Sequence, residues 1–346
     1  MALILFILFG GLCALSFLED RLDDRSRRGA MLAMGLVLAL LAGFRPDDVD
    51  HDYMNYVGMY YESFAIDTEV TFVLISSIVE MLFDNVVFVF VIYAFIGVFL
   101  HLYAIRRLTS LWFLSLLVYL SSFYLLHGMN QIRVGVSAGF FLLALHHLQE
   151  RDKRKYVICA VLATLFHYTS VILFFFLLIN DDLSTKWRRW LYIAIIPAAY
   201  LMYLANVNVF MAVPIPYFEE KLEAYQALQD YGDDVWSEIN VFNLVLLVKI
   251  VILYFIFWKR ELIESYNKYV NILLKVEVLS IAAFVIFHSV PVVSMRINEF
   301  LGIVEVVLFP LLFYTVKPAW LGRVVVMLLA AVLLFISLFY NKTIMV

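Results

Sequence analysis

The chain has 346 residues, of which 64% are hydrophobic and only 16% are charged. Soluble domains average about 45–50% hydrophobic and about 25% charged residues, so this composition excludes an ordinary soluble fold. The formal net charge of −4 gives no indication of a nucleic-acid partner. Repeated apolar runs near the ~20 residues needed to cross the hydrocarbon core predict an all-α, polytopic transmembrane helical bundle.

About ten apolar runs have the length and composition of membrane spans. The first run lacks a basic leading region and a small-residue cleavage pattern, so we interpret it as a retained span and not a signal peptide. No repeat or linker divides the chain, which predicts a single transmembrane domain over 1–346. The predicted spans are 2–18, 29–44, 86–105, 111–128, 131–148, 190–206, 240–258, 270–288, 297–316 and 320–340.

The distribution of Lys and Arg predicts the orientation of these spans, because basic residues accumulate in the short cytoplasmic loops. Nineteen of the 25 basic residues fall on one side of the predicted bundle. Both termini are therefore predicted to lie outside the cytoplasm. Two acidic stretches, 45–69 and 207–239, become external loops with seven carboxylates each, and the second is interpreted as a solvated amphipathic lid.

Two apolar segments do not fit as simple spans. Segment 70–82 is too short to cross and is predicted to be an interfacial or re-entrant helix. Segment 156–179 is long enough to cross, but basic clusters flank both of its ends. A re-entrant hairpin bent near His167 keeps both clusters on the cytoplasmic side. Irregular backbone at membrane depth requires protein or a wet cavity around it, so the bend is predicted to face an internal cavity.

Three isolated arginines break the charge bias at external span ends: Arg45, Arg133 and Arg296. Ionisable groups at membrane depth are costly, and by default they indicate a functional cavity. A guanidinium stays ionised and forms bidentate hydrogen bonds, which suits a diphosphate. The alternatives are interfacial snorkelling and structural ion pairs.

Other polar groups accompany these arginines in four motifs. GFRPDDVDHDYMNY carries Asp52, HGMNQIR carries Arg133, ATLFHYTS carries His167, and FHSVPVVSMRINEF carries Arg296. An imidazole titrates near neutral pH and suits a proton acceptor, although a lone membrane histidine is more often a satisfied core residue. No compact cluster has convincing metal-ligand spacing, so neither a metal nor another cofactor is predicted.

These motifs, taken in order with Glu69 before its short apolar helix, resemble the EpsG family of Wzy-like polysaccharide polymerases. The strongest matches are the NQIR turn, followed by a small-residue helix, and the LFH-x-[ST] element. Two features depart from the family pattern: Asp50 stands where glycine is common, and Val70-Thr71 replace a Pro-Gly pair.

The resemblance implies a glycosyltransferase of the GT-C type in the bacterial inner membrane. It would join undecaprenyl-diphosphate-linked repeat units, as donor and acceptor, into O-antigen, capsule or exopolysaccharide on the outer face. Membrane lipid, a flippase and a chain-length regulator are the other expected partners.

On this interpretation Arg45, Arg133 and Arg296 bind diphosphate, and Asp52 or His167 is the base, with Asp52 preferred. The groups expected to bind sugar or orient the arginines are Tyr53, Tyr56, Glu69, Asn130, Gln131, His288 and Glu299. A flippase-type transporter or a related glycan ligase remains the alternative function. The lack of repeated halves and the gathering of polar motifs on one face argue against a transporter.

Overall fold

The structure is a computed structural model that describes residues 1–62, 68–178, 183, 185–207 and 239–345. All regular secondary structure in these ranges is helical, as predicted. The lid predicted over 207–239 lies almost entirely outside the described residues, as does the 63–67 portion of the first external loop.

Fifteen α-helices are described, five of which are followed by a 3₁₀ or π segment, including the 3₁₀ helix Glu19–Arg21 after the first and the π-helix Ile336–Tyr340 after the last. They are α1 (Ala2–Leu18), α2 (Asp24–Gly43), α3 (Tyr53–Tyr61), α4 (Val70–Phe83), α5 (Val87–Leu108), α6 (Trp112–Val118, continued as the π-helix Tyr119–Asn130), α7 (Ile132–Gln149), α8 (Lys153–Phe166, followed by the 3₁₀ helix Tyr168–Leu178), α9 (Lys186–Leu204), α10 (Leu244–Trp258), α11 (Arg260–Glu264), α12 (Val270–Ile286), α13 (Pro291–Gly302), α14 (Glu305–Leu308, continued as the 3₁₀ helix Phe309–Thr315) and α15 (Ala319–Phe335).

Six helical segments are long and apolar enough to cross a membrane: Ala2–Arg21, Asp24–Gly43, Val87–Leu108, Trp112–Asn130, Pro291–Thr315 and Ala319–Tyr340. This confirms a helical membrane protein. The other four predicted spans form α7, α9, α10 and α12, which fall short of that length or apolarity. The total of about ten spans is therefore not confirmed and stays a prediction.

The chain forms two compact units, so the single domain stays a prediction. Unit 1 comprises Met1–Asn180, Ser265–Tyr269 and Val306–Val346, and unit 2 comprises Asp181–Glu264 and Val270–Glu305. Within unit 1, α2, α5, α7 and α8 pack side by side in that order. Within unit 2, α12 packs against α9, α10 and α13.

Small residues allow α7 to lie against its neighbours at short range. A Cβ atom on Gly135 would stand 2.1 Å from the backbone oxygen of His127 in the π-helix of α6, and one on Gly139 would stand 2.9 Å from the Leu100 side chain. Small-residue positions let helix backbones approach closely where no water drives their association. This packing fixes where the first turn of α7 lies.

The chain reverses direction at His167, as the hairpin prediction requires. His167 has an extended backbone (φ −156°, ψ 116°) and ends α8. The Tyr156 hydroxyl, at the start of α8, donates to the backbone oxygen of Leu173, 2.5 Å away in the following 3₁₀ helix. Residues 17 positions apart can meet in this way only if the two helices run back along each other. The structure confirms a short helix at 70–82, which is α4. The positions of the hairpin and of α4 in the membrane stay predictions.

We expect Gly135→Ala to destabilise the protein by roughly 1–3 kcal/mol, since the new methyl group would overlap rigid backbone. Gly29→Ala in α2 is the matched control, because a Cβ there meets nothing within 4 Å. Alanine is the better helix former, so the control substitution should be neutral or stabilising. Thermal unfolding of the detergent-purified variants measures both, and equal midpoints would contradict the close approach.

The re-entrant hairpin makes a second prediction. In a chain with Cys13 and Cys159 replaced by serine, Lys153→Cys and Lys186→Cys should both resist a membrane-impermeant thiol reagent in intact cells. Asp48→Cys should react, because it lies in the predicted external loop, and all three should react after permeabilisation. Reaction of only one of the two lysine-site cysteines from outside would replace the hairpin with a plain span.

Candidate active site

Glu69 is the centre of a charged cluster in unit 1. One of its carboxylate oxygens pairs with the Arg133 guanidinium, and the other lies 2.8 Å from His167 Nδ1. The Glu69 side chain is 5% exposed, whereas those of His167 and Arg133 are 12% and 22% exposed. The Glu69 carboxylate is thus almost fully enclosed, whereas parts of the His167 and Arg133 side chains stay exposed.

The helix ends explain how three distant segments bring these groups together. Glu69 is the N-cap residue of α4, Arg133 lies in the first turn of α7, and His167 follows the last residue of α8. Two further contacts join the bend to α4: the Thr71 hydroxyl donates to the Leu165 oxygen at 2.7 Å, and the Tyr168 hydroxyl donates to the Thr68 oxygen at 3.3 Å. The hairpin bend is therefore attached to the start of the short helix.

An aromatic wall formed by Tyr56, Phe72 and Phe90 lies against Arg45 and Arg133, the two predicted diphosphate ligands in unit 1. The Arg133 guanidinium carbon is 5.5 Å from the Tyr56 ring centroid and 5.9 Å from that of Phe72. The Arg45 guanidinium carbon is 4.5 Å from the Phe90 centroid, and the Phe90 and Tyr56 rings meet edge to face at 6.1 Å. The two arginines thus contact different rings of one buried aromatic cluster at distances typical of cation–π pairs.

Arg45 forms a buried ion pair with Asp50, and both side chains are fully enclosed. Arg45 Nη1 also donates to the Ala42 oxygen at 2.8 Å, and Nη2 has no partner among the described residues. The second Asp50 oxygen accepts the backbone N–H of Asp52 at 2.9 Å. Asp50, which departs from the family pattern, is therefore a structural partner that our sequence analysis did not assign, although its spacing of five residues from Arg45 was a usable signal.

Asp52 lies at the N-cap of α3, half-buried, and its carboxylate accepts from the Asn55 side chain at 3.2 Å. Tyr53 and Tyr56 follow it on α3 and are both buried. Tyr53 stacks on Phe90 with centroids 4.5 Å apart. Asp52 thus lies at the start of the helix that contributes Tyr56 to the aromatic wall. Glu69, in contrast, contacts both Arg133 and His167 directly.

Asn130 connects the first acidic loop to the C-terminal segment. Its side-chain oxygen accepts the backbone N–H of His51 at 3.1 Å, and its amide nitrogen donates to the backbone oxygen of Thr343. The Met345 N–H donates to the Val49 oxygen at 2.8 Å. The Asn130 amide is thereby occupied by backbone groups, and the adjacent Gln131 forms the junction between α6 and α7.

The remaining predicted site residues lie in unit 2. Arg296 and Glu299 are on α13, and His288 precedes that helix, with its ring 4.6 Å from the Tyr203 ring. Convergence of Arg296 with Arg45 and Arg133 stays a prediction. In the same unit, Lys249 Nζ lies 2.6 Å from a Glu305 carboxylate oxygen.

Burial and neighbouring positive charges have opposite effects on the pKa values of Glu69 and Asp50. Burial tends to raise the pKa of Glu69, but the His167 hydrogen bond and the Arg133 charge outweigh it, so the net shift is downward. Glu69 is therefore ionised at neutral pH, and its stabilising effect is lost only as pH falls through this lowered pKa. Burial raises the pKa of Asp50 despite the opposing charge of Arg45.

The fold and the site define a helical membrane protein with a guanidinium–carboxylate–imidazole cluster beside an aromatic wall. In the described ranges, no group of three His, Cys, Asp or Glu side chains could hold a metal ion. A profile of the EpsG family matches residues 30–345, nearly the whole chain. The chain belongs to the EpsG family of Wzy-like polymerases, which confirms the resemblance.

Membership associates this membrane protein with polysaccharide polymerisation in exopolysaccharide biosynthesis. No curated protein matches the chain, and neither does any solved structure.

The cluster predicts a characteristic result in a double-mutant cycle. Glu69→Gln leaves the guanidinium of Arg133 without its counter-charge, so we expect it to cost about 3 kcal/mol. Arg133→Gln should also destabilise, and the combined variant should lose less than the sum, because no unpaired charge is left. Thermal unfolding at pH 7 gives the midpoints of the wild-type protein, the two single variants and the double variant. Strict additivity would show that the two side chains do not interact.

Proposed function

We propose that this protein joins lipid-linked oligosaccharide repeat units into a cell-surface polysaccharide on the outer face of the bacterial inner membrane. The observation that carries this proposal is the Glu69 carboxylate, which holds Arg133 on one oxygen and His167 on the other. An anion-binding group and a proton acceptor are thereby fixed next to each other, as transfer from a diphosphate to a sugar hydroxyl requires.

His167 is the proposed base. Because its Nδ1 faces an ionised carboxylate, the ring proton belongs on Nδ1, and the Nε2 lone pair is left to accept a proton. Nε2 takes the proton of the acceptor sugar hydroxyl while the hydroxyl oxygen attacks the anomeric carbon of the donor. The bond from that carbon to the diphosphate oxygen breaks, and undecaprenyl diphosphate leaves. Glu69 stabilises the imidazolium that forms.

Arg133 is the proposed partner of the leaving diphosphate. Its guanidinium has one Nη on Glu69 and keeps 22% of its side chain exposed, so it can add a charge-assisted hydrogen bond to a phosphate oxygen. Arg296 is proposed as the second diphosphate ligand. Arg45 is enclosed by Asp50 and Phe90, which supports a positioning role in which it holds α3 against the site.

Asp52 remains the alternative base, and the aromatic residues beside it are proposed to hold sugar. Tyr53 and Tyr56 offer ring faces and hydroxyl groups, and Asn130, Gln131, His288 and Glu299 complete the proposed sugar-binding or orienting set. Asp52 lacks the oriented imidazole–carboxylate pair, so the geometry supports His167 more strongly. The external termini, the ten spans and an association with a flippase and a chain-length regulator belong to the same proposal.

In vitro extension of a purified lipid-linked repeat unit tests this function. We expect the wild-type protein to convert it into a ladder of longer glycans on a gel. A positioned base contributes roughly 10²–10⁴-fold, so His167→Gln should slow extension by a factor in that range, whereas Asp52→Asn should retain most of the rate. Binding of the lipid-linked unit and the thermal midpoint should be preserved in both variants.

The reverse pattern would move the base to Asp52. Unchanged extension in both variants would exclude both residues as the base. A wild-type protein that transfers the glycan once to a different acceptor, without a ladder, would indicate a ligase, and one that only moves the lipid between leaflets would indicate a transporter.

A further inference from the structure

Two adjoining cavities lie between α2 and α5 in unit 1, at the helix ends opposite the candidate site. The larger, of about 370 Å³, is lined by Arg28, Tyr103, Arg106, Arg107 and Trp112. The smaller, of about 200 Å³, shares Arg28, Tyr103 and Arg106 and continues along Met31, Leu32, Phe99 and Leu102. The pair therefore has a cationic end and an apolar end.

The cationic end is not neutralised within the cavity. Its lining holds three arginines and, among the described residues, no carboxylate. Arg28 has only a distant, exposed ion pair with Asp24 at 4.0 Å, and Arg107 donates to the Tyr103 hydroxyl at 2.8 Å. Arg106 lies over the Trp112 ring at 5.1 Å, and its Nε is buried with no partner in the described part of the chain.

The position along α5 matches an interface between lipid headgroups and acyl chains. Phe90, in the wall of the candidate site, and Arg106, in the cavity, are sixteen residues apart on this helix, which corresponds to a rise of about 24 Å. That distance approaches the ~30 Å thickness of the hydrocarbon core. The cavities are thus at the opposite membrane surface from the site, on the side where basic residues accumulate.

We propose that these cavities bind one anionic phospholipid, whose phosphate lies among Arg28, Arg106 and Arg107 and whose first acyl-chain carbons lie along the apolar end. Basic pockets between membrane helices on the cytoplasmic side suit anionic lipid headgroups. Trp112 closes the cationic end as an interfacial aromatic, and Arg27 holds that ring in place at 3.8 Å. The bound lipid joins α2 to α5 and stabilises the helices that carry the candidate site at their other ends.

Native mass spectrometry of the full chain, with equal amounts of phosphatidylglycerol and phosphatidylcholine in the detergent, tests this site. We expect one tightly held phosphatidylglycerol per protein. In Arg28→Gln/Arg106→Gln its affinity should fall by roughly 30-fold (about 2 kcal/mol), at about 1 kcal/mol for each basic residue. The control Arg25→Gln/Arg154→Gln removes the same charge from exposed positions outside the cavities and should bind normally.

Three results would overturn the proposal. Equal loss of binding in both double variants would reduce it to general charge attraction, and equal retention of the two lipids would remove the headgroup preference. Inorganic phosphate that raises the thermal midpoint as much as phosphatidylglycerol would indicate a soluble anion. A cavity variant that elutes as a monodisperse peak yet has lost only the lipid supports the site, independently of whether the polymerase assay succeeds.

Discussion

One buried carboxylate determines the geometry of the candidate site. Glu69 has two oxygens, and each is used for a different helix: one for Arg133 at the start of α7, the other for His167 at the end of α8. A buried charge must be paired, since removing one partner leaves an uncompensated ion. The pairing requirement therefore fixes three chain segments relative to each other, and with them the relative positions of a guanidinium and an imidazole.

Packing supplies the precision that the carboxylate alone could not. Gly135 lets α7 approach the π-helix of α6 so closely that no side chain fits between them, and this sets the depth of Arg133 two residues earlier. The reversal at His167 depends likewise on the Tyr156–Leu173 contact along the hairpin. A functional group is held most precisely when rigid elements rather than loops carry it, and here helix ends carry all three groups.

Charge and length patterns made parts of this structure predictable. Basic clusters on both sides of 156–179 predicted a reversal at His167, and the short apolar run 70–82 predicted a helix. Ion pairs between distant segments were harder to predict, because they leave no periodic signal in the sequence. The Glu69–His167 contact joins residues 98 positions apart. The Arg45–Asp50 pair was close in sequence, but Asp50 was considered only as a departure from the family pattern.

Charge balance explains why one carboxylate between a guanidinium and an imidazole suits the proposed reaction. In the proposed mechanism, the Glu69 carboxylate balances the charge of the Arg133 guanidinium before the proton transfer, and His167 Nε2 has a lone pair to accept the proton. When His167 takes the hydroxyl proton, the cluster gains one positive charge as the diphosphate gains a negative charge on leaving the anomeric carbon. The attraction is therefore stronger in the transition state than in the ground state, and only such differential stabilisation accelerates a reaction.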